Sequence, residues 1–363
     1  AGESFLRGWV RHAPGDTLNV VGQTRDATGQ FEKRVGELGS TRPTRSWTLK
    51  GDDFAEAGTI FFPGPGFLSA TWLRQRLGPT RCSLVGITHT VSTRRVIEGL
   101  HNLVSEPVEP WDAVICTSQA VKSVVRRQFE VEADFFRQRF GATRVPLPQL
   151  PVIPLGINAD DFVRDDDHRA EMRARFETPE DAFVVLTVGR LTVVEKANMV
   201  PLFQVLETLS QRIGRPVHLW MAGWASRKPE YELHERGAHE IAPNVTTTMI
   251  DGREAEIRRK IWSGADVFTL PVDNIQETFG LVPVEAMSAG LPVVMPDWNG
   301  FRDTVVHGQT GLLIPTRLAP PGMGDLIARR FADGTDDYLR YLAIIQQHTS
   351  IDLRHYLEAF EAL

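Results

Sequence analysis

The chain has 363 residues, 42% of them hydrophobic and 24% charged, an ordinary globular balance at a length suited to two domains. Its formal net charge of −6 argues against a nucleic-acid partner held by bulk positive charge. No apolar run approaches membrane-spanning length, and the N-terminal AGESFLRGWVRHAP lacks the apolar core of a signal peptide.

In chain order, residues 5–13 carry a helical pattern and LNVVG (18–22) that of a strand. Residues 23–50 are polar and turn-rich. GTIFF (58–62) is a strand that runs into Pro63-Gly64-Pro65-Gly66, either a tight turn or the edge of a ligand cleft, and then a helical stretch over 68–77. CSLVGITHT (82–90) is the next strand and ends at His89, where an α/β domain places its sites. Helical patterns over 95–103 and 120–129 flank the strand AVICTS (113–118), with Ser118 as an N-cap. Cys82 and Cys116 lie in apolar strand-like runs and read as buried thiols, which fits a reducing cytoplasm. The arginine pairs Arg94, Arg95 and Arg126, Arg127 read as solvated helix faces, with an anionic acceptor or a membrane surface as the alternative. The proline-rich stretch 145–158 marks a domain boundary. The acidic run 165–167 reads as a solvated linker, since three adjacent carboxylates make a poor metal site.

The second half opens on FVVLTVGRL (183–191), a strand ending at Gly189, followed by Arg190 and then Lys196. Glycine at a strand end lets the backbone turn and a ligand approach. Arginine offers phosphate a bidentate fork and lysine a point charge. A helix over 200–213, strands over 217–223 and 245–252 and a helix over 256–262 follow. Then comes the most informative stretch, 263–315. DVFTLP is a buried strand, 272–278 a polar loop, and FGLVPVEAMSAG a helix with Pro283 near its first turn and Gly290 past its end. LPVVMP and GLLI are two more strands. Strand, loop, helix, strand is a parallel α/β unit, whose ligands sit at the carboxyl ends of the strands. The loop over 273–280 leads into a helix N-terminus, where free N–H groups favour an anion. Glu277 and Glu285 bracket it, and carboxylates there accept hydrogen bonds from hydroxyls flanking the anion. An anion with hydroxyls on both sides describes a nucleotide sugar. Glu285, inside the helix, is expected at the ribose, and Glu277, in the loop, at the hexose.

E-x7-E within ETFGLVPVEAMSAGLPVV, followed by HGQTGLL, resembles the donor site of the family 4 retaining glycosyltransferases of the GT-B fold. The resemblance is specific over 183–316 and weak before 145. It implies an α/β fold of two Rossmann-like domains facing across a cleft. These are an N-terminal acceptor domain (1–158), a nucleotide-sugar domain (159–345) and a closing helix (346–363) that returns to the first domain. It implies metal-independent transfer of a hexose from a UDP-, GDP- or ADP-sugar to a hydroxyl of a glycan, glycolipid or small molecule, with no further cofactor and no nucleic acid. His89, Arg190, Lys196 and Glu277 are then the expected catalytic residues. Gly189, Arg190, Lys196, Glu277, Phe279, Gly280, Leu281 and Glu285 are expected to hold the donor. The sequence departs from the family pattern at Thr90, at Ala197 and over 298–303, where only Gly300 matches. The expected location is the cytoplasm, with a peripheral place at the inner membrane face as an option. Such a chain usually opens on a strand and a glycine-containing loop. This one begins Ala1-Gly2-Glu3 and enters a helical pattern at once, so that opening is expected to lie outside the 363 residues. The alternatives are an epimerase or phosphorylase of the same fold, or a nucleotide-sugar-binding protein without catalysis.

Overall fold

A computed structural model describes residues 2–22, 24–49 and 52–363. The chain divides into two compact units, Ala1–Gly156 and Ile157–Leu363, the division falling in the proline-rich stretch.

The first unit runs α1 (Gly2–His12), β1 (Leu18–Gly22), α2 (Arg25–Glu37), β2 (Thr44–Thr48), β3 (Thr59–Phe61), α3 (Ala70–Leu77), β4 (Ser83–Ile87), α4 (Arg94–Ser105), β5 (Ala113–Ile115), α5 (Gln119–Phe140). Its strands are parallel, paired as β1-β2 and as β3-β4-β5. Where the sequence suggests only turns over 23–50, there are a helix and a strand; Gln23 and Lys50, at the ends of that stretch, lie outside the described residues. The Thr24 hydroxyl caps α2 by accepting from the Ala27 N–H, and the helix buries little beyond Val35, so its apolar period is faint. Ser118 caps α5 by accepting from the Val121 N–H at 3.2 Å, and that helix continues past its expected end to Phe140. Cys82 and Cys116 are buried, and burial pushes the Cys116 thiol up to about 11.

The second unit continues with α6 (Asp166–Arg175), β6 (Phe183–Arg190), α7 (Val200–Ser210), β7 (Val217–Trp224), α8 (Lys228–Ile241), β8 (Thr246–Asp251), α9 (Ala255–Gly264) and β9 (Val267–Thr269). After these come α10 (Leu281–Ser288), β10 (Val293–Pro296), α11 (Phe301–Thr304), β11 (Gly311–Ile314), β12 (Thr316–Leu318), α12 (Gly324–Ala332), α13 (Tyr338–Gln347), β13 (Thr349–Ile351) and α14 (Leu353–Glu361). The acidic run 165–167 is not linker. Asp165 accepts from the His168 N–H at 2.9 Å and starts α6, whose dipole favours carboxylates in the first turn. The segment 346–363 is not one helix, since β13 separates α13 from α14. The apolar face of α14, which carries Tyr356, Leu357 and Phe360, lies in this unit's core, against α7 and the β10–β11 edge.

The main sheet is six-stranded and parallel, in the order β11-β10-β9-β6-β7-β8. Its inner strands β10, β9, β6 and β7 are near-continuous buried runs because both faces are covered, while the edge strand β8 (TTTMID) is mostly polar. The order reverses between β6 and β9. That is the topological switch point, where the loops leaving two neighbouring strands part and open a crevice.

Glycine sets how closely β6 and β7 approach at this end. Gly189 stands opposite Gly223, and a Cβ on Gly223 would meet the Gly189 carbonyl oxygen at 2.0 Å. Gly223→Ala should therefore cost about 1–3 kcal/mol in urea unfolding, the usual range for overpacking. Unchanged stability would show that the strands part freely there.

Candidate functional site

The site is built where β6 and β9 lie side by side. β6 ends in Gly189 and Arg190, and its loop carries Lys196. β9 ends at Thr269, and its loop carries Glu277 into α10. The two loops meet. Lys196 Nζ donates to Glu277 Oε2 at 2.8 Å, both side chains largely covered. Gly189 lies close under the lysine: a Cβ there would be 3.3 Å from Lys196 Cε. Arg190 is more open, its side chain 42% exposed and its guanidinium 3.8 Å from Glu195. The crevice thus holds one paired cation, one weakly paired cation and a carboxylate.

The polar loop over 272–278 is largely buried, with 275–277 half-buried. Asp273 and Asn274 are 4% and 1% exposed. They fasten the two loops together. Asp273 Oδ1 accepts from the Asn198 N–H at 3.3 Å and from Gln346 Nε2 at 2.7 Å. Asn274 Nδ2 donates to the Lys196 carbonyl at 2.6 Å, and its own carbonyl accepts from Trp298 Nε1 at 2.7 Å. Gln346 Nε2 also donates to the Val193 carbonyl at 2.7 Å. Burial lifts the Asp273 carboxyl to about 6, against the pull of the Gln346 and Asn198 hydrogen bonds. The sequence signal for these residues was slight: two hydrogen-bonding side chains in a short loop, with partners far along the chain.

Phe279 is buried, Gly280 takes a φ of 83°, and Leu281 begins α10. A Cβ on Gly280 would also strike the Phe301 ring at 2.3 Å, so no other residue fits there. The segment 298–303, which departs from the family pattern, supports this turn from below. Trp298 anchors Asn274, Phe301 packs under Gly280, and Gly300 lies so close that a Cβ would be 2.4 Å from Phe279 Cα. Glu285 lines a cavity of about 380 Å³ together with Phe162, Val188, Gly252, Ile257 and Trp262. Burial raises its carboxyl above the ordinary range, and the Lys196 charge works against that rise. An anion at the α10 N-terminus would meet backbone N–H groups and the two cations, with a carboxylate to either side of it along the chain.

His89 belongs to the first unit, just past β4. Its Nε2 lies 3.1 Å from the Pro63 carbonyl oxygen. With Pro63, Gly64, Phe31, Phe62 and Arg95 it lines a cavity of about 990 Å³. The Pro63–Gly66 segment is thus a cavity wall, and it packs closely on β4: a Cβ on Gly86 would be 2.6 Å from the Gly64 carbonyl oxygen. Among the described residues, no group of three His, Cys, Asp or Glu side chains is placed to hold a metal ion. Among them, too, no helix is long and apolar enough to cross a membrane.

Residues 182–333, from β6 to the end of α12, match the model of the family described as glycosyl transferases group 1. The second unit is a group 1 glycosyl transferase domain. Arg190, Lys196, Glu277 and Glu285 all lie within its matched stretch. The chain is 30% identical over 240 residues to a D-inositol 3-phosphate glycosyltransferase of Streptomyces bingchenggensis, covering 64% of this chain and 50% of that protein. It is 28% identical over 190 residues to a GDP-mannose-dependent alpha-(1-6)-phosphatidylinositol monomannoside mannosyltransferase of Mycobacterium tuberculosis, covering 51% and 48%. The chain spans about half the length of these curated relatives. Among solved structures, a Rickettsia africae glycosyltransferase aligns with TM-score 0.60 at 14% identity, over 99% of this chain and 93% of that one. Anabaena HepE in complex with UDP aligns with TM-score 0.58 at 16% identity, over 100% and 95%. The fold of the glycosyl transferase domain and of the chain that carries it is the GT-B fold.

The raised Asp273 carboxyl gives a signed prediction. Its folded value, about 6, lies above its unfolded one, so the folded state keeps the proton longer. Stability is then fully present at low pH and falls as pH rises through this window, reaching a constant loss above it. Asp273→Asn keeps an acceptor for Gln346 and Asn198 but cannot ionise. Its Tm relative to wild type should be more favourable at pH 7.5 than at pH 4. A difference in Tm independent of pH would contradict this ionisation.

Proposed function

We propose that this chain is a retaining glycosyltransferase that moves a hexose from a nucleoside-diphosphate hexose to a hydroxyl acceptor. The observation that carries the reading is the meeting of Lys196 and Glu277 at the switch point of a group 1 glycosyl transferase domain, with Glu285 seven residues further on, inside α10. In this reading the diphosphate lies against the α10 N-terminus, in the fork of Arg190 and on the ammonium of Lys196. Gly189 and the backbone of Phe279, Gly280 and Leu281 allow the close approach. Glu285 accepts from the ribose hydroxyls in the cavity it lines. Glu277, released as Lys196 turns to phosphate, accepts from hexose hydroxyls.

In the reaction the bond from the anomeric carbon to the diphosphate oxygen breaks, and the acceptor oxygen bonds to the same face of that carbon. The acceptor proton passes to the departing phosphate oxygen. Charge gathers on the diphosphate, so catalysis is chiefly electrostatic, from groups fixed in place beforehand. Arg190, Lys196 and the helix N-terminus supply that charge stabilisation without a metal ion. His89 and the first-unit cavity serve the acceptor side. The relatives carry names that specify inositol phosphate and a phosphatidylinositol mannoside, so the acceptor we favour is a polyol or glycolipid hydroxyl, reached from the cytoplasmic face of a membrane.

The test is a thermal-shift and turnover screen of the full chain against UDP-, GDP- and ADP-hexoses. One nucleoside class should raise Tm, because ligand binding stabilises the folded state. With that donor, Arg190→Ala should lose roughly 2–4 kcal/mol in kcat/KM, as for a deleted electrostatic donor. No stabilisation by any nucleotide sugar, or wild-type turnover in Arg190→Ala, would overturn the reading.

A further inference from the structure

We infer that Gln346 is a positioning residue for the donor site, its side-chain amide holding the loops after β6 and β9 in one register. This rests on the proposed donor site and adds a residue from outside the family match, since α13 follows residue 333. Gln346 is 8% exposed. Its Nε2 has two hydrogens and two acceptors, the Val193 carbonyl in one loop and Asp273 Oδ1 in the other, each at 2.7 Å. Val193 precedes Lys196 by three residues and Asp273 precedes Glu277 by four, so each charged side chain hangs from a short segment that Gln346 holds. A second tie runs parallel, from Asn274 Nδ2 to the Lys196 carbonyl at 2.6 Å. The contact at 2.8 Å between Lys196 and Glu277 depends on that shared register.

The side chain is chemically specific. Two N–H donors are needed on one atom, at the reach of three side-chain bonds. An apolar residue of the same length would leave the Val193 carbonyl and the Asp273 carboxylate buried without that donor. Glutamate would set a second carboxylate against Asp273. Lysine would keep the donors, one bond further out on a flexible stem, and bring a charge complementary to Asp273. The helix has separate anchors: Leu342 is fully buried, Tyr341 stacks on Phe331 at 4.6 Å, and Asp337 caps the first turn by accepting from the Arg340 N–H at 2.8 Å. Replacing Gln346 should therefore leave α13 in place while the loops lose the tie it makes and keep only the direct ones, Asn274 to Lys196 and Asn198 to Asp273.

The experiment uses the full chain and three variants, Gln346→Met, Gln346→Lys and, as a packing control in the same helix, Leu342→Ala. Calorimetry gives the Kd for UDP, GDP and ADP, kinetics give donor KM and kcat, and a melt gives Tm. Gln346→Met should weaken the diphosphate that wild type binds, and raise donor KM, by about ten-fold, the scale of one lost hydrogen bond to a charged group. Gln346→Lys should restore most of that affinity. Leu342→Ala should lower Tm at least as much as Gln346→Met while leaving Kd nearly unchanged. Wild-type Kd in Gln346→Met would overturn the inference and leave the proposed function standing. Equal weakening in Leu342→Ala, or no rescue by lysine, would also overturn it. Failure of wild type to bind any of the diphosphates would instead bring down the proposed function itself.

Discussion

The contact between Lys196 and Glu277 is possible only because the sheet reverses its order between β6 and β9. Neighbouring parallel strands deliver their following loops to the same edge, and the helices that follow leave in opposite directions. A cation from one loop and a carboxylate from the other can then meet at 2.8 Å although they are 81 residues apart in sequence. Partly withdrawn from water, each stabilises the other's charge, and removing one leaves the other costly. Under the function proposed above, the ligand that best replaces Glu277 at Lys196 is itself an anion. A diphosphate completes the lysine's coordination and releases the carboxylate to its second partner in one exchange.

Such an exchange requires loops that do not drift when the ion pair opens. The polar loop is buried and its side chains are committed: Asp273 and Asn274 are bonded to the opposite loop, to α13 and to Trp298. Close approach by glycine does the rest. Gly223, Gly280 and Gly300 each occupy places where a Cβ would overlap backbone or ring atoms. Electrostatic stabilisation is effective in proportion to how little the charged groups must reorganise, and this architecture limits that reorganisation.

The second unit was largely legible in its sequence because its central strands are apolar on both faces and its loops carry distinctive charges. FVVLTV, VHLWMAG and LPVVMP lie in the central sheet, and Glu277 and Glu285 stand at the loop and helix positions their spacing suggests. What escaped were features whose cause is tertiary. Gln346 and Asp273 are 73 residues apart, and nothing local in either segment points to the other. Trp298 falls where the family pattern fails, and its indole N–H holds the Asn274 carbonyl 24 residues back in the chain. The acidic run 165–167 is solvated, as its composition suggests, but it looked like linker because a helix N-terminus and a linker share a composition, and only the cap geometry separates them. In the first unit, α2 was hidden by its glycines and by an apolar face reduced to little more than Val35.

The central claim is that Glu277 neutralises Lys196 until a diphosphate takes its place, and it is tested most directly by titrating Glu277→Gln with the nucleoside diphosphate lacking its sugar. With the carboxylate's charge removed, the lysine has no competing anion, so the variant should bind that diphosphate at least as tightly as wild type. Glu285→Gln, which alters the proposed ribose contact, should bind it more weakly. If Glu277→Gln weakens the diphosphate as much as Glu285→Gln does, Glu277 is not the charge that the ligand displaces, and the account of the site is wrong.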